Sequence, residues 1–149
     1  MIQSWTSRGD SGDVKAARFL DQCLQDSHEA LELGFEDVDL VLEERLDRMS
    51  DETQGLVLMG SPAISSEAAD ALVVFLDRGG QLFRDPGSGV RTQPGNQNLD
   101  LENRTRRPSG IHTVPMMIRC HAVRFSHQRA GQGWRDLLQS AGIEPRFRT

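Results

Sequence analysis

The sequence contains no tyrosine, a single lysine and two cysteines, and these shortages narrow the class of protein. The longest uninterrupted apolar run, residues 71–76, is far short of the roughly 20 residues that a bilayer-spanning helix needs. The N-terminus lacks the basic stretch followed by an apolar stretch that marks a secretory signal. Two cysteines without CxxC spacing do not form a disulfide scaffold. We therefore expect a cytoplasmic protein that does not insert into a membrane.

Motifs for catalysis and for cofactor or metal binding are also missing. The chain has no GxxxxGK[ST] or GxGxxG nucleotide fingerprint and no GxSxG nucleophile elbow. His121 and His127 share a face of a predicted strand but would lie about 20 Å apart at about 3.3 Å per residue, and Cys120 points to the other face. We therefore predict no metal, no cofactor and no catalytic residue, which favours a non-enzymatic role without excluding an enzyme.

What the chain does have is a strong charge asymmetry. Residues 1–80 carry six basic side chains against seventeen acidic ones, a net charge of −11. Residues 81–149 carry eleven arginines against five acidic side chains, a net charge of +6. Such asymmetry indicates either an anionic partner or two halves that face each other.

The acidic half begins with two segments of helical periodicity. Apolar residues recur at helical spacing from Asp13 to Gly34 and again over 37–49, which predicts an antiparallel helical hairpin with an acidic outer surface. Residues 1–12 are polar and rich in glycine and serine, so we expect them to be flexible.

The best-defined part of the sequence is a strand–helix–strand pattern. Residues 56–59 form a short apolar run typical of a strand buried on both faces. Ser65 or Ser66 then offers an N-cap for a helix with a clean apolar stripe, and Gly79-Gly80 ends it. Residues 81–84 follow as a second strand. This order is typical of a βαβ unit with parallel strands.

The basic half contains a long polar segment between predicted elements. Residues 85–110 are rich in Pro, Gly, Asn and Gln, which predicts a flexible loop or linker. A strand over 114–125, a helix over 131–141 and a short basic tail, 144–149, follow. The predicted fold is a small single α/β domain, 13–143, in the order α-α-β-α-β-(long loop)-β-α, with a short, mostly parallel sheet covered by helices.

Two sets of residues are candidates for anion binding. The first is basic and combines the arginines of the loop with two from the following strand: Arg104, Arg106, Arg107, Arg119 and Arg124. The alternative set lies where the first parallel strand leads toward a helix N-terminus, the usual ligand edge of an open α/β sheet: Ser61, Ser65 and Ser66.

Three functions are consistent with this pattern. The leading hypothesis is a non-enzymatic interaction or regulatory module whose basic C-terminal third binds an anionic partner, either nucleic acid or an acidic protein surface. One alternative is a small enzyme acting on an anionic substrate near Ser61. The other is a structural partner subunit that docks through its acidic N-terminal helices. A homo-oligomer is compatible with all three.

Overall fold

The computed structural model describes residues 2, 3, 25, 35, 38, 95 and 146 and the ranges 41–93, 97–114 and 127–144. Its centre is a three-stranded parallel sheet of β3 (Gly55–Leu58), β5 (Gln81–Arg84) and β8 (Ile111–Thr113), with β5 in the middle. The register places Val57 beside Phe83, and Phe83 beside His112. The predicted α/β class and the short parallel sheet are confirmed.

Both faces of this sheet are buried, because successive strand residues point to opposite sides. Leu56, Leu58 and Leu82 pack with the residues of helix α1 (Ser66–Asp77) on one face. Val57 and Phe83 face the other way and pack with Trp134 of the C-terminal helix. The continuous apolar runs of the two strands are therefore explained by helices on both sides, as is usual for parallel sheets.

Helix α1 begins and ends where the local sequence predicts. The Ser65 hydroxyl caps its N-terminus by accepting a hydrogen bond from the Ala68 N–H at 3.1 Å. Gly79 follows the C-terminal end with a φ of +102°, a backbone conformation that favours glycine. A Cβ atom at Gly80 would lie 2.4 Å from ring carbons of Phe75, so the turn into β5 closes tightly on the helix.

A second sheet was not predicted. It consists of β4 (Ala63–Ser65), β6 (Arg91–Gln93) and β7 (Gln97–Asn98), with β4 and β6 parallel and β6 and β7 antiparallel. Strand β4 lies between β3 and α1 in the sequence. For this segment we predicted a serine N-cap of the helix but no strand. Two buried apolar residues, Ala63 and Ile64, are too short a run to predict a strand without its partner.

The prediction of a helix over 37–49 is wrong for its described residues. Val41–Leu42 form strand β2, which pairs in parallel with β1 (Ile2–Gln3), and a 3₁₀ helix, η1, spans Glu43–Arg48. Strand pairing competes with helical periodicity here, because β-branched and apolar residues suit either structure. Ile2 is fully buried, and the rest of the range predicted to be flexible lies outside the described residues except for Gln3. The predicted helix over 13–34 lies outside the described residues except for Gln25, which is helical.

The segment 85–110 is not the structureless loop that its composition predicted. It contains β6, β7, a short helix α2 (Leu101–Arg104) and a 3₁₀ turn, η2 (Pro108–Gly110). Leu99 and Leu101, two of its three aliphatic residues, are buried in the core against α1. A few apolar anchors and specific hydrogen bonds therefore fold a segment of polar composition.

The C-terminal elements partly match the predictions. Helix α3 (His127–Ser140) confirms the predicted helix over 131–141, and Gly142 follows it with a φ of +80°. Strand β8 ends at Thr113, before the predicted strand over 114–125 begins. Residues 115–125 of that prediction lie outside the described residues. The Trp134 side chain is fully buried and forms part of the core.

Candidate anion-binding site

The predicted arginine segment is anchored to the C-terminal end of α1. The Asp77 carboxylate oxygen Oδ1 accepts hydrogen bonds from the Thr105 hydroxyl at 2.8 Å and from the Arg106 backbone N–H at 2.7 Å. The Arg107 N–H in turn donates to the Thr105 hydroxyl oxygen at 3.1 Å. One carboxylate therefore fixes the backbone that carries the loop arginines.

These contacts keep Asp77 ionised. The backbone hydrogen bond from Arg106 and then the hydrogen bond from Thr105 lower the pKa of Asp77 below its usual value, with a smaller contribution from the Arg106 charge. Hydrogen bonds donated to a carboxylate favour its charged form. The acidic half of the chain and the basic half thus meet directly at Asp77.

Arg104 has its partner inside the protein. Its guanidinium forms an ion pair with Asp70, which lies on α1 seven residues before Asp77. Arg84, another cation of the basic half, forms an ion pair with Glu102. Of these two pairs, Arg104–Asp70 joins the basic half to the acidic half, whereas Arg84 and Glu102 both belong to the basic half. The Arg104 guanidinium therefore has a counterion within the fold, in a pair whose side chains are 38% and 71% exposed.

Arg106 and Arg107 are exposed, and within the described parts of the chain neither guanidinium forms an ion pair. The Arg107 guanidinium lies 3.3 Å from the position that a Cβ atom at Gly79 would occupy. Arg78, next to Gly79, stacks its guanidinium 5.3 Å from the centre of the Phe75 ring and pairs with Asp51 at 3.1 Å. We call Arg78, Arg106 and Arg107 the arginine cluster.

The position of the arginine cluster has an electrostatic reason. The C-terminal end of a helix carries a partial negative charge, and cations near it are stabilising. The last turn of α1 itself contains no basic residue. The arginines that compensate this end therefore come from Arg78, immediately after the helix, and from a segment nearly thirty residues later.

Two arginines of the predicted set, Arg119 and Arg124, lie outside the described residues. The structure therefore places the Arg107 guanidinium beside Gly79, the neighbour of Arg78, holds the Arg106 backbone at Asp77, and gives Arg104 an internal partner. Arg78 was not among the residues predicted from the sequence for this site. The signal that could have found it is its place immediately before the Gly79-Gly80 turn.

The alternative site near Ser61 is a buried hydrogen-bond network. The Asp85 carboxylate accepts hydrogen bonds from the Gly60 N–H at 2.8 Å, from the Gly87 N–H at 2.9 Å and from the Ser88 hydroxyl at 2.9 Å. The Ser88 hydroxyl oxygen accepts the Ser61 N–H at 2.9 Å, and the Ser61 hydroxyl donates to the Met59 carbonyl.

The backbone N–H groups that could bind an anion at this turn already form hydrogen bonds within this network. The N–H groups of Gly60 and Ser61 already donate inside the protein, and Ser61 is buried. Ser65 is the N-cap of α1, and Ser66 is an exposed residue in its first turn. The three serines thus have different structural environments. Asp85, which organises the turn, was not predicted, although Asp at the first position of a turn followed by proline is a common signal.

Metal chemistry finds no support among the described residues, where no group of three or more His, Cys, Asp or Glu side chains could hold an ion. In the same residues no helix has the length and apolar character that crossing a membrane requires. No protein-family model matches the chain, and neither a curated protein nor a solved structure matches it.

Proposed function

We propose that the protein is a non-enzymatic interaction module that binds an anionic partner through Arg106 and Arg107, with Arg78 beside them. The observation that carries the proposal is the difference between neighbouring arginines of one segment. Arg104 is paired with Asp70, whereas Arg106 and Arg107 are exposed and have no ion pair among the described residues. Guanidinium groups suit this role because they bind phosphate and carboxylate through two parallel hydrogen bonds.

Anchoring of the segment supports the same function. Asp77 holds the backbone at Thr105 and Arg106, so the two arginines are presented from a fixed turn. A pre-formed site loses less conformational entropy on binding than a flexible one. The charged groups also reach solvent, where they raise the rate of encounter with an anionic partner.

The test is binding to nucleic acid as a function of salt. We expect fluorescence anisotropy to show binding of single-stranded or duplex oligonucleotides at low salt, weakening as salt rises. Each phosphate contact that is removed should reduce the slope of log K against log[salt] by about 0.7 for single strands or about 0.9 for duplex DNA. The double variant Arg106→Ala/Arg107→Ala should therefore bind more weakly and with a shallower slope.

Arg104→Ala is the matched control. It removes one positive charge from the same segment, but that charge is already paired with Asp70. We expect its salt slope to stay close to that of the unmodified protein. Absence of nucleic-acid binding at low salt, combined with binding of poly-glutamate that depends on Arg106 and Arg107, would identify an acidic protein surface as the partner. Equal effects of all three arginines, or no effect of any, would contradict the proposal.

A further inference from the structure

Two cavities of different character adjoin each other where β3 and β5 begin. The smaller, about 270 Å³, is a polar cleft whose lining includes Asp51, Thr53, Gln54, Arg78 and Gln81. The larger, about 660 Å³, is an apolar chamber whose lining includes Phe35, Val38, Met49, Val57, Phe83 and Leu138. Both cavities are lined by Thr53, Gln54 and Ile143, so they share a wall. The chamber alone has the size of a typical small-molecule site.

The apolar chamber is suited to a hydrocarbon group. Its walls come from the apolar side of β3 and β5 and from α3, and they carry aromatic and aliphatic side chains. Ile143 lies at the boundary between the chamber and the polar cleft, because it lines both cavities. Its Cδ1 atom lies 3.0 Å from the position that a Cβ atom at Gly55 would occupy. Apolar surface of a ligand that enters the chamber is removed from water, which is the main favourable contribution to such binding.

The polar cleft is suited to an anionic group. Arg78 lines it, and the Arg107 guanidinium lies beside Gly79, another residue of its wall. Asp51, the one carboxylate among the described residues of its lining, pairs with Arg78, but its side chain is 99% exposed. An ion pair that is so exposed contributes little energy, and a ligand anion can replace Asp51. The Gln54 amide and the Thr53 hydroxyl add neutral donors to the same wall.

The charges around the two cavities also fix the orientation of a ligand. The cleft has two guanidinium groups near it, those of Arg78 and Arg107, against one carboxylate. Among the residues that the structure describes, the charged ones that line the chamber are two carboxylates, Glu52 and Glu144, and one guanidinium, Arg146. An anionic head group is therefore attracted to the cleft and repelled from the edge of the chamber.

We propose that the protein binds a single-chain amphiphile with an anionic head group, such as a fatty-acid carboxylate. The carboxylate occupies the polar cleft beside Arg78, and the hydrocarbon chain occupies the apolar chamber. This site lies beyond the proposed anionic-partner function, because Arg106 takes no part in it and its larger cavity is apolar.

Isothermal titration calorimetry with the full chain tests the ligand class, with detergents kept below their micellar concentrations. We expect dodecanoate to bind saturably, and dodecyltrimethylammonium, which has the same chain and a cationic head, to bind at least about tenfold more weakly. Acetate, which has the head group alone, should show no binding. Equal affinity for the two long-chain compounds, or no binding of dodecanoate, would overturn the proposal.

Variants at the shared wall test the location. Ile143→Trp should narrow the junction of the cavities and weaken dodecanoate binding at least about tenfold. Val74→Trp is the matched control, because Val74 is 65% exposed on α1 and lines neither cavity. Arg78→Gln removes the guanidinium beside the head group, so it should weaken dodecanoate binding even if Ile143→Trp does not fold. An unchanged affinity for Arg78→Gln would contradict the head-group assignment.

Two further measurements separate this site from the proposed function. Arg106→Ala should weaken nucleic-acid binding and leave dodecanoate binding unchanged. Ile143→Trp should have the opposite pattern. If both variants weakened both ligands to the same extent, the two proposals would describe one non-specific site, and the assignment of the amphiphile to the cavities would be wrong.

Discussion

The Asp77 carboxylate accepts a hydrogen bond from the Arg106 backbone N–H at 2.7 Å, across twenty-nine residues of sequence. This contact joins the acidic half of the chain to the basic half at the end of α1. It also determines what the neighbouring arginines can do, because it fixes their backbone and leaves the guanidinium groups of Arg106 and Arg107 at the surface.

We predict that Asp77 contributes stability that is lost in acid. Its pKa is lowered in the folded protein, so its contribution is fully present above the unfolded-state pKa, near 3.8, and decreases as pH falls through the folded-state value. Asp77→Asn keeps an acceptor oxygen but has no titrating group. Thermal melts between pH 6 and pH 2 should therefore show a shallower loss of Tm in the variant below about pH 4. Parallel pH profiles for the two proteins would contradict this.

We predict that His112, like Asp77, contributes stability that is lost as pH falls, but that this loss occurs at a higher pH. Burial lowers the pKa of His112 below its usual value of 6.5. Its ring stacks on Phe83 with 5.0 Å between ring centres, and its Nε2 lies 2.6 Å from the Gln81 side-chain oxygen. The contribution of neutral His112 to stability is fully present above about pH 6.5 and is lost as pH falls through the folded-state pKa.

An NMR titration of the His112 ring gives the folded-state pKa directly, and we expect a value below that of a histidine in an unfolded peptide. His112→Gln should remove this part of the pH dependence of Tm between about pH 7 and pH 5. A pKa at or above the usual value would show that the site does not disfavour the charged ring.

We predict that Gly80→Ala destabilises the protein through a steric conflict. The added Cβ atom would lie 2.4–2.6 Å from three ring carbons of Phe75, a buried residue of α1. Overpacking of this kind costs about 1–3 kcal/mol in free energy of unfolding, measurable by urea denaturation. Gly87→Ala is the matched control, because its Cβ atom would meet one oxygen at an ordinary 3.5 Å. A surface change of that kind stays within about 0.5 kcal/mol.

We predict that Ser88→Ala weakens the turn at the end of β3. Ser88 is fully buried, and its hydroxyl both accepts the Ser61 N–H and donates to Asp85. Its removal leaves the Ser61 N–H without that acceptor, at a cost of about 1–3 kcal/mol. Ser66→Ala changes an exposed serine and should have little effect on the same urea denaturation curve. Similar stability of the two variants would show that the network is not a significant support of the fold.

The sequence alone was sufficient to predict secondary structure where the local pattern of apolar residues agrees with their burial in the fold. The strand–helix–strand unit, the N-cap at Ser65 and the stop at Gly79-Gly80 follow from apolar periodicity, a capping side chain and backbone freedom, and the structure confirms them. The helix predicted over 131–141 is likewise confirmed by α3.

The local residue pattern did not predict the correct secondary structure where contacts between residues distant in sequence decide it. Val41–Leu42 became a strand because Ile2–Gln3 pairs with it, and β4 exists because β6 lies beside it. The segment 85–110 has the composition of a loop, yet Leu99 and Leu101 anchor it in the core. The energies of such pairings depend on partners that are remote in sequence, and no periodicity encodes them.

The division is clearest for the arginines. The sequence by itself determined that the basic charge is concentrated in the second half and that Arg104, Arg106 and Arg107 stand together in one polar segment. Only the tertiary structure decided that Arg104 has an internal counterion, because Asp70 lies 34 residues away in sequence on α1. Coulomb attraction acts over distance in space, so the same three residues differ by where the fold places their nearest carboxylate.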